Sequence, residues 1–198
     1  MKKLLSVMMI LVMVLCIAGC GSSGNGGDSG EAEAQQEATG TSEALVVYFS
    51  HTGNTESVAN AIQEQTGSDI YEIVPSAPYT DDYDELLDLA QNEQEEDARP
   101  EISEAIDDFE KYQVVYVGYP IWWGDMPMIL YSFFDSYDMA GKTIVPFCTS
   151  GGSGLCDTVN AIQELEPEAQ VMEGLHIGDG EASNPGEAVS GWLEDIGL

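Results

Sequence analysis

Basic residues are scarce in this sequence of 198 residues: five Lys and Arg stand against 36 Asp and Glu, which gives a formal net charge of −31. Nucleic acid is therefore a poor partner, because a phosphate backbone is held by stripes of Lys and Arg. The acidic balance instead favours protein partners that carry a basic docking surface, with simple solubility as the alternative.

Cysteine and histidine are also few, with four Cys and two His. No group of them has the spacing of metal ligands, so no metal site is predicted. His51 is expected to offer its backbone amide and His176 to be an ordinary histidine of a strand, so no catalytic residue is assigned. Cys148 and Cys156 are predicted to be two separate, mostly buried thiols, with a disulfide between them as the open alternative.

Hydrophobic runs are too short to cross a bilayer comfortably, and the N-terminal one, Leu4 to Ile17, directly follows two lysines. It ends in Ile17-Ala18-Gly19-Cys20, which resembles the lipobox of bacterial lipoproteins. The resemblance implies a cleaved signal peptide over residues 1–19 and a lipid on Cys20; an ordinary signal peptide is the alternative. The lipid alone would hold the protein at the extracytoplasmic face of the bacterial cell membrane, because anionic headgroups repel so acidic a surface.

The segment 20–43 lacks large apolar side chains and is rich first in Gly and Ser, then in Glu, Gln, Ala and Thr. Such a composition cannot bury enough surface to fold, which predicts a flexible linker. Residues 44–198 alternate between apolar runs and amphipathic stretches, which indicates one folded domain.

The alternation within that domain predicts a parallel sheet. Strands are expected at 45–49, 69–74, 114–118, 143–149 and 170–177, and helices at 55–65, 81–96, 128–137, 155–165 and 186–196, with a further short helix marked by Ile102, Ile106 and Phe109. Repeated strand–helix units form parallel sheets with helices on both faces. The sequence therefore predicts an α/β fold with a doubly wound, five-stranded parallel sheet in three α/β/α layers.

The first predicted strand runs directly into Ser50-His51-Thr52-Gly53-Asn54-Thr55, where a helix begins. The N–H groups at a helix N-terminus attract anions, hydroxyls add donors, and Gly53 permits a tight turn. The run contains no Lys, which excludes a Walker A loop. It is interpreted as a phosphate loop, with a capping turn that binds nothing as the alternative.

The third strand is followed by Pro120-Ile121-Trp122-Trp123-Gly124. Neighbouring side chains of an extended segment face opposite ways, so Trp122 and Trp123 cannot easily both lie in the core. An indole at this edge offers a surface for stacking a flat ring. A packed aromatic corner is the alternative.

The fourth strand is followed by Thr149-Ser150-Gly151-Gly152-Ser153, whose glycines permit close approach of a ligand to the backbone. A flexible loop is the alternative. All three loops follow strands, so they meet at the carboxyl edge of the sheet, where open α/β sheets bind ligands. A phosphate cradle, a stacking surface and a polar rim together fit flavin mononucleotide (FMN).

These motifs resemble the flavodoxin family, and most closely its short-chain flavodoxin-like members, over the entire domain. Ser50, Thr52, Gly53 and Thr55 match the family's phosphate motif Ser/Thr-x-Thr-Gly-x-Thr. The resemblance implies strand order 2-1-3-4-5 and noncovalent FMN, with the ring against Pro120 to Gly124 and Thr149 to Ser153.

One departure from the family pattern bears on function. The segment Ser150 to Gly154 has no aromatic residue, so one ring face is expected to be open or covered by another residue such as Tyr79. The leading interpretation is a membrane-tethered electron carrier with a protein redox partner. The alternatives are an FMN-dependent NAD(P)H:quinone-type oxidoreductase and a lipoprotein that stores or delivers FMN.

Overall fold

The computed structural model describes residues 43–198. The predicted signal peptide (1–19), the predicted lipid site Cys20 and all of the predicted linker except Glu43 lie outside the described residues. Within the described part, no helix combines the length and apolarity that crossing a membrane requires.

The centre of the domain is a parallel sheet. Its strands are β1 (Ala44–Tyr48), β2 (Asp69–Glu72), β3 (Val114–Pro120), β4 (Thr143–Ser150), β5 (Gln170–Val171) and β6 (Leu175–Gly178). They follow the order β2-β1-β3-β4-β5, and β6 also pairs with β4. The predicted order 2-1-3-4-5 is confirmed.

The fifth predicted strand, 170–177, forms two short strands instead of one. β5 pairs with the start of β4, and β6 pairs with its end. Between them the chain leaves the ladder at Glu173, whose carbonyl accepts a hydrogen bond of 3.1 Å from the Trp192 indole. The chain also passes close to the preceding helix, because a Cβ at Gly174 would lie 3.2 Å from the Val159 side chain.

Helices cover both faces of the sheet. They are α1 (Asn54–Thr66), α2 (Tyr83–Glu95), α3 (Met128–Ser136), α4 (Thr158–Leu165) and α5 (Gly186–Ile196). Two buried clusters result, one between the sheet and α1 and α5, the other between the sheet and α3 and α4. β1 supplies both clusters because its side chains alternate: Leu45 and Val47 enter one, Val46 and Tyr48 the other.

The prediction of a short helix near residues 102–109 is wrong. Only a single 3-10 turn forms there, at Phe109–Lys111. Ile102 instead forms an antiparallel bridge with Pro75, and the Ser103 N–H donates to the Val74 carbonyl over 2.8 Å. Pairing with the chain beyond β2 satisfies backbone groups that a helix would otherwise have satisfied.

The fold brings the three predicted loops to one edge. β1, β3 and β4 are neighbours in the sheet, so the segments that follow them start side by side. The Ile121 N–H also donates to the Thr149 carbonyl over 3.0 Å, which joins the second loop to the end of β4.

Candidate functional site

The phosphate loop (residues 50–55) ends at an open helix N-terminus. Gly53 is the N-cap residue of α1, has φ 88°, and no side chain caps the helix. The Gly53 N–H donates to Ser50 Oγ over 3.1 Å, which folds the loop back on itself. The N–H groups in the first turn have no acceptor within the helix, so they are available to an anion.

A buried hydrogen bond ties this loop to β4. Thr55 Oγ1 and Thr149 Oγ1 lie 2.9 Å apart, and the two residues are 1% and 4% exposed. Of the predicted phosphate-loop residues, Thr55 therefore has a structural contact, whereas Thr52 is exposed and Asn54 is the first residue of α1.

The described residues include three basic side chains, and each is engaged elsewhere. Arg99 pairs with Asp97 and Asp135, and Lys111 lies 3.4 Å from Asp69. Lys142 is buried and donates to backbone carbonyls. Binding of an anion at the phosphate loop would thus depend on backbone N–H groups and hydroxyls, as the sequence predicts.

The second loop, termed the tryptophan loop (residues 120–124), turns sharply. Trp122 and Asp125 exchange backbone hydrogen bonds of 2.8 and 3.0 Å. Between them Trp123 has φ 50° and Gly124 has φ 83°. Left-handed conformation at both central residues is the pattern of a type I′ turn, and it is rare for a residue as bulky as Trp.

Side chains hold this turn in place. The Trp123 indole donates to the Leu87 carbonyl of α2 over 3.0 Å, while the side chain stays 51% exposed. The Asp125 carboxylate accepts hydrogen bonds of 2.8 Å from the Met126 N–H and the Tyr131 hydroxyl. The exposed Trp123 leaves an aromatic surface at the edge of the sheet.

Trp122 lies in a cluster of aromatic rings. Phe49, Tyr79 and His51 all pack edge-on against it, with ring centroids 5.5, 5.2 and 6.0 Å away. The two tryptophans do not both lie in the core, as predicted, and Trp122 forms the packed aromatic corner that was the alternative. Tyr79, suggested as a cover for an open ring face, is engaged in this cluster and braces Trp122.

Tyr79 is itself fixed by a carboxylate. Its hydroxyl donates to Glu93 Oε2 over 2.9 Å. Burial raises the pKa of the Glu93 carboxyl, and the hydrogen bond from Tyr79 only partly offsets this. Burial, together with Glu93, also raises the pKa of Tyr79. No local pattern in the sequence identifies this pair, because it depends on how α2 packs.

The third loop, termed the ring-edge loop (residues 149–154), is organised around the Ser150 hydroxyl. Ser150 Oγ lies 2.8 Å from His176 Nε2, accepts from the Gly152 N–H over 3.4 Å, and lies 3.5 Å from the Gly154 carbonyl. Gly151, Gly152 and Ser153 are exposed, as a loop that contacts a ligand requires.

The two remaining cysteines are both free thiols. Cys148 is buried, as predicted, and burial raises the pKa of its thiol to about 12. Cys156 is exposed, so the expectation that both are mostly buried is wrong for it. It lies in the loop before α4 with φ 51° and does not follow the apolar pattern of β4.

In the part of the chain from 43 to 198, no group of three or more His, Cys, Asp or Glu side chains is placed to hold a metal ion. The site instead combines an uncapped helix, an exposed indole and an exposed backbone loop along one edge. These suit a phosphate, a flat ring and a polar ring edge, respectively.

Comparison with known proteins identifies the family. The sequence model of the flavodoxins matches residues 43–196. A candidate flavoprotein from Bacteroides eggerthii DSM 20697 is 33% identical, with a TM-score of 0.71 over 78% of this chain and 98% of that chain. A similar one from Bacteroides uniformis ATCC 8492 is 30% identical, with a TM-score of 0.70 over 77% and 98%.

A third solved structure shares the fold at lower identity. It is a flavoprotein from Lactobacillus acidophilus NCFM in complex with FMN, 24% identical, with a TM-score of 0.60 over 70% of this chain and 94% of that chain. The comparison with curated proteins gives no match. The sequence model covers almost the whole described domain, and this chain belongs to the flavodoxin family.

Proposed function

We propose that this chain binds FMN noncovalently and serves as an electron-transfer protein. The observation that carries the proposal is the convergence of the phosphate, tryptophan and ring-edge loops on one edge of the sheet, with the first two each joined to Thr149. The flavoprotein from Lactobacillus acidophilus, which has the same fold, was solved with FMN.

The residues present fit the cofactor. The first turn of α1 and the hydroxyls of Ser50 and Thr52 would hold the phosphate, because no side chain already caps that helix. The exposed Trp123 would stack on the ring, and the backbone of the ring-edge loop would meet its polar edge. Bound FMN supplies reversible electron acceptance, and the protein sets its orientation and potential.

Charge favours a low reduction potential. The sequence carries a net charge of −31, and no free basic side chain lies at the phosphate loop among the described residues. Negative charge around a flavin makes the anionic reduced form less favourable. We therefore expect the second one-electron reduction of bound FMN to be harder than that of free FMN.

The direct experiment uses residues 43–198, the described domain, which the flavodoxin sequence model matches from residue 43 to 196. Purified protein reconstituted with FMN should show a yellow flavin spectrum and a submicromolar dissociation constant, and riboflavin should bind more weakly. Titration with dithionite should give two separate one-electron steps. A colourless protein that ignores added FMN would overturn the proposal.

We further propose that a lipid on Cys20 tethers the domain to the extracytoplasmic face of the membrane. The lipobox-like run before Cys20 supports this. Because anionic headgroups repel so acidic a protein, the lipid and not the protein surface would hold it at the membrane. In a bacterial host, the full chain should fractionate with membranes and incorporate labelled fatty acid. Cys20→Ser should abolish the labelling; continued labelling of that variant would contradict the assignment.

An oxidoreductase acting on a small acceptor is the second candidate. The segment Ser150 to Gly154 has no aromatic residue, so the ring face opposite Trp123 would be left accessible. Steady consumption of NAD(P)H with a quinone by the FMN-loaded protein would support this candidate. Two separate one-electron steps without such turnover would support the carrier.

A further inference from the structure

His176 makes a contact that the proposed function does not yet use. It lies on β6 opposite Cys148 of β4, and its Nε2 lies 2.8 Å from Ser150 Oγ. Both groups can donate or accept a hydrogen bond, and the tautomer of the imidazole decides which one donates. The contact joins a strand at the edge of the sheet to the first turn of the ring-edge loop.

The Ser150 hydroxyl is nearly buried and has one proton to donate. Residue Ser150 is 7% exposed. Its oxygen accepts from the Gly152 N–H, and it faces the Gly154 carbonyl, which can only accept. If Nε2 accepts, the hydroxyl proton goes to His176. If Nε2 donates, the hydroxyl proton is free to bond the Gly154 carbonyl. Ser150 Oγ then holds the loop through hydrogen bonds to both Gly152 and Gly154.

The other side-chain contacts of the loop are weak ones from thiols, which donate to the Gly154 carbonyl (Cys148, 3.5 Å) and to the Ser153 carbonyl (Cys156, 3.6 Å). Gly151, Gly152 and Ser153 are exposed and have no large side chain to pack. Gly152 has φ 127°, which an L side chain rarely adopts. Asp179, just beyond β6, lies close to the loop, because a Cβ at Gly151 would lie 3.3 Å from its Oδ2.

We propose that His176 is a positioning residue for the polar edge of the flavin ring and acts through the Ser150 hydroxyl. The inference rests on the proposed binding of FMN. By anchoring Ser150, His176 fixes the direction of the N–H groups of the ring-edge loop. With FMN bound, those groups would stabilise negative charge on the reduced ring, so their placement would raise the reduction potential.

The anchor can be tested in the protein without flavin. The Gly152 N–H donates to Ser150 Oγ, so its hydrogen–deuterium exchange should be faster in His176→Leu and in Ser150→Ala than in the unsubstituted protein. His176→Gln should keep slow exchange, because a glutamine amide can also donate or accept. Equal exchange in the Leu variant and the unsubstituted protein would refute the anchor.

The role toward flavin is tested with the FMN-loaded domain. Loss of one hydrogen bond corresponds to about a five- to tenfold loss of FMN affinity in His176→Leu. The loss should be larger for reduced FMN, and each tenfold difference lowers a one-electron potential by about 59 mV. Ser150→Ala should match His176→Leu, and the double variant should add nothing further.

Ile177→Val provides the matched control. Ile177 is the next residue of β6, and its side chain packs in the buried cluster between the sheet and helices α1 and α5. This variant should therefore lower Tm without changing the flavin potentials. Unchanged potentials in His176→Leu, or a shift equal to that of Ile177→Val, would overturn the role of His176 but not the proposed binding of FMN. Failure of the unsubstituted domain to bind FMN would overturn the proposed function as well.

Discussion

Thr55 and Thr149 share a hydrogen bond of 2.9 Å between their hydroxyl oxygens, although 94 residues separate them in the chain. Thr55 lies in the first turn of α1, and Thr149 lies in β4 just before the glycines of the ring-edge loop. The bond therefore fixes the phosphate loop relative to the ring-edge loop, the two parts that are proposed to hold opposite ends of FMN.

Removing one of these hydroxyls should destabilise the fold. Thr55→Val leaves the Thr149 hydroxyl buried without its partner, which should lower the free energy of unfolding by about 1–3 kcal/mol. Urea denaturation of the domain without flavin measures the loss. In Thr55→Val/Thr149→Val no polar group is left unpaired, so most of the stability should return. A double variant that loses the sum of both single effects would contradict the account.

Glu56 should weaken binding of the phosphate. Glu56 lies in the first turn of α1. Its carboxylate is close to the phosphate loop, because a Cβ placed on Gly53 would lie 3.9 Å from Glu56 Oε2. Glu56→Gln removes a negative charge near the phosphate loop, so FMN should bind about two- to fivefold more tightly. Titration with riboflavin, which has no phosphate, should show no change.

Glu64→Gln is the control for Glu56→Gln, because the same charge is removed two turns further along α1. It should change FMN affinity less than Glu56→Gln does. An equal gain in both variants would mean that net charge, and not charge at the phosphate loop, limits affinity.

Gly124 is expected to tune the flavin potential through the turn that it completes. With φ 83° it tolerates a conformation that Gly124→Val would strain by about 1–2 kcal/mol. A shifted turn changes the peptide groups presented at the edge of the sheet. Redox titration should therefore show altered one-electron potentials.

Gly141→Val is the matched control for Gly124→Val. Gly141 has φ 75° and lies outside the three loops, with nothing within 4 Å of a Cβ there. Gly141→Val should cause the same backbone strain and therefore lower Tm, but it should leave the flavin potentials unchanged. Potentials that move equally in both variants would argue against a specific role of Gly124.

Glu93 makes stability depend on pH. Burial raises the pKa of its carboxyl in the folded state, so folding disfavours the charged form. The penalty is absent below the pKa of the unfolded chain and grows as pH rises through the folded pKa. Glu93→Gln keeps an acceptor for the Tyr79 hydroxyl, so it should raise Tm at pH 7 and give no gain near pH 4.

The control for Glu93→Gln is Glu95→Gln, an exposed carboxyl on the same helix. It should change Tm little at either pH. A gain from Glu93→Gln that persists unchanged at pH 4 would show that the buried charge is not its cause.

Much of the fold could be predicted because it depends on local patterns. The run Leu45 to Phe49 is apolar throughout, as a strand buried on both faces must be. Loop positions followed from the ends of strands, so Gly53, Trp123 and Gly152 could be assigned to one edge. The strand break at Glu173 could not be predicted, because the Trp192 indole that accompanies it lies 19 residues away.

Gly118 is a second case, within a strand, in which a local sequence pattern could not reveal a contact with a distant residue. Its residue type suggests only the end of β3, yet the strand continues to Pro120. A Cβ at Gly118 would lie 2.1 Å from the ring of Phe147, its partner in the neighbouring strand. The glycine makes room for that ring, a requirement that no local sequence pattern expresses.

The sequence by itself determined most of the succession of strands and helices, the three loops and the lack of basic side chains within the phosphate loop, because each follows from residue type and spacing. Only the tertiary structure decided which side chains support those loops. Glu93 with Tyr79, Thr55 with Thr149 and His176 with Ser150 are pairs far apart in the chain. Such pairs form when the packing of the sheet and helices brings their polar atoms within hydrogen-bonding distance.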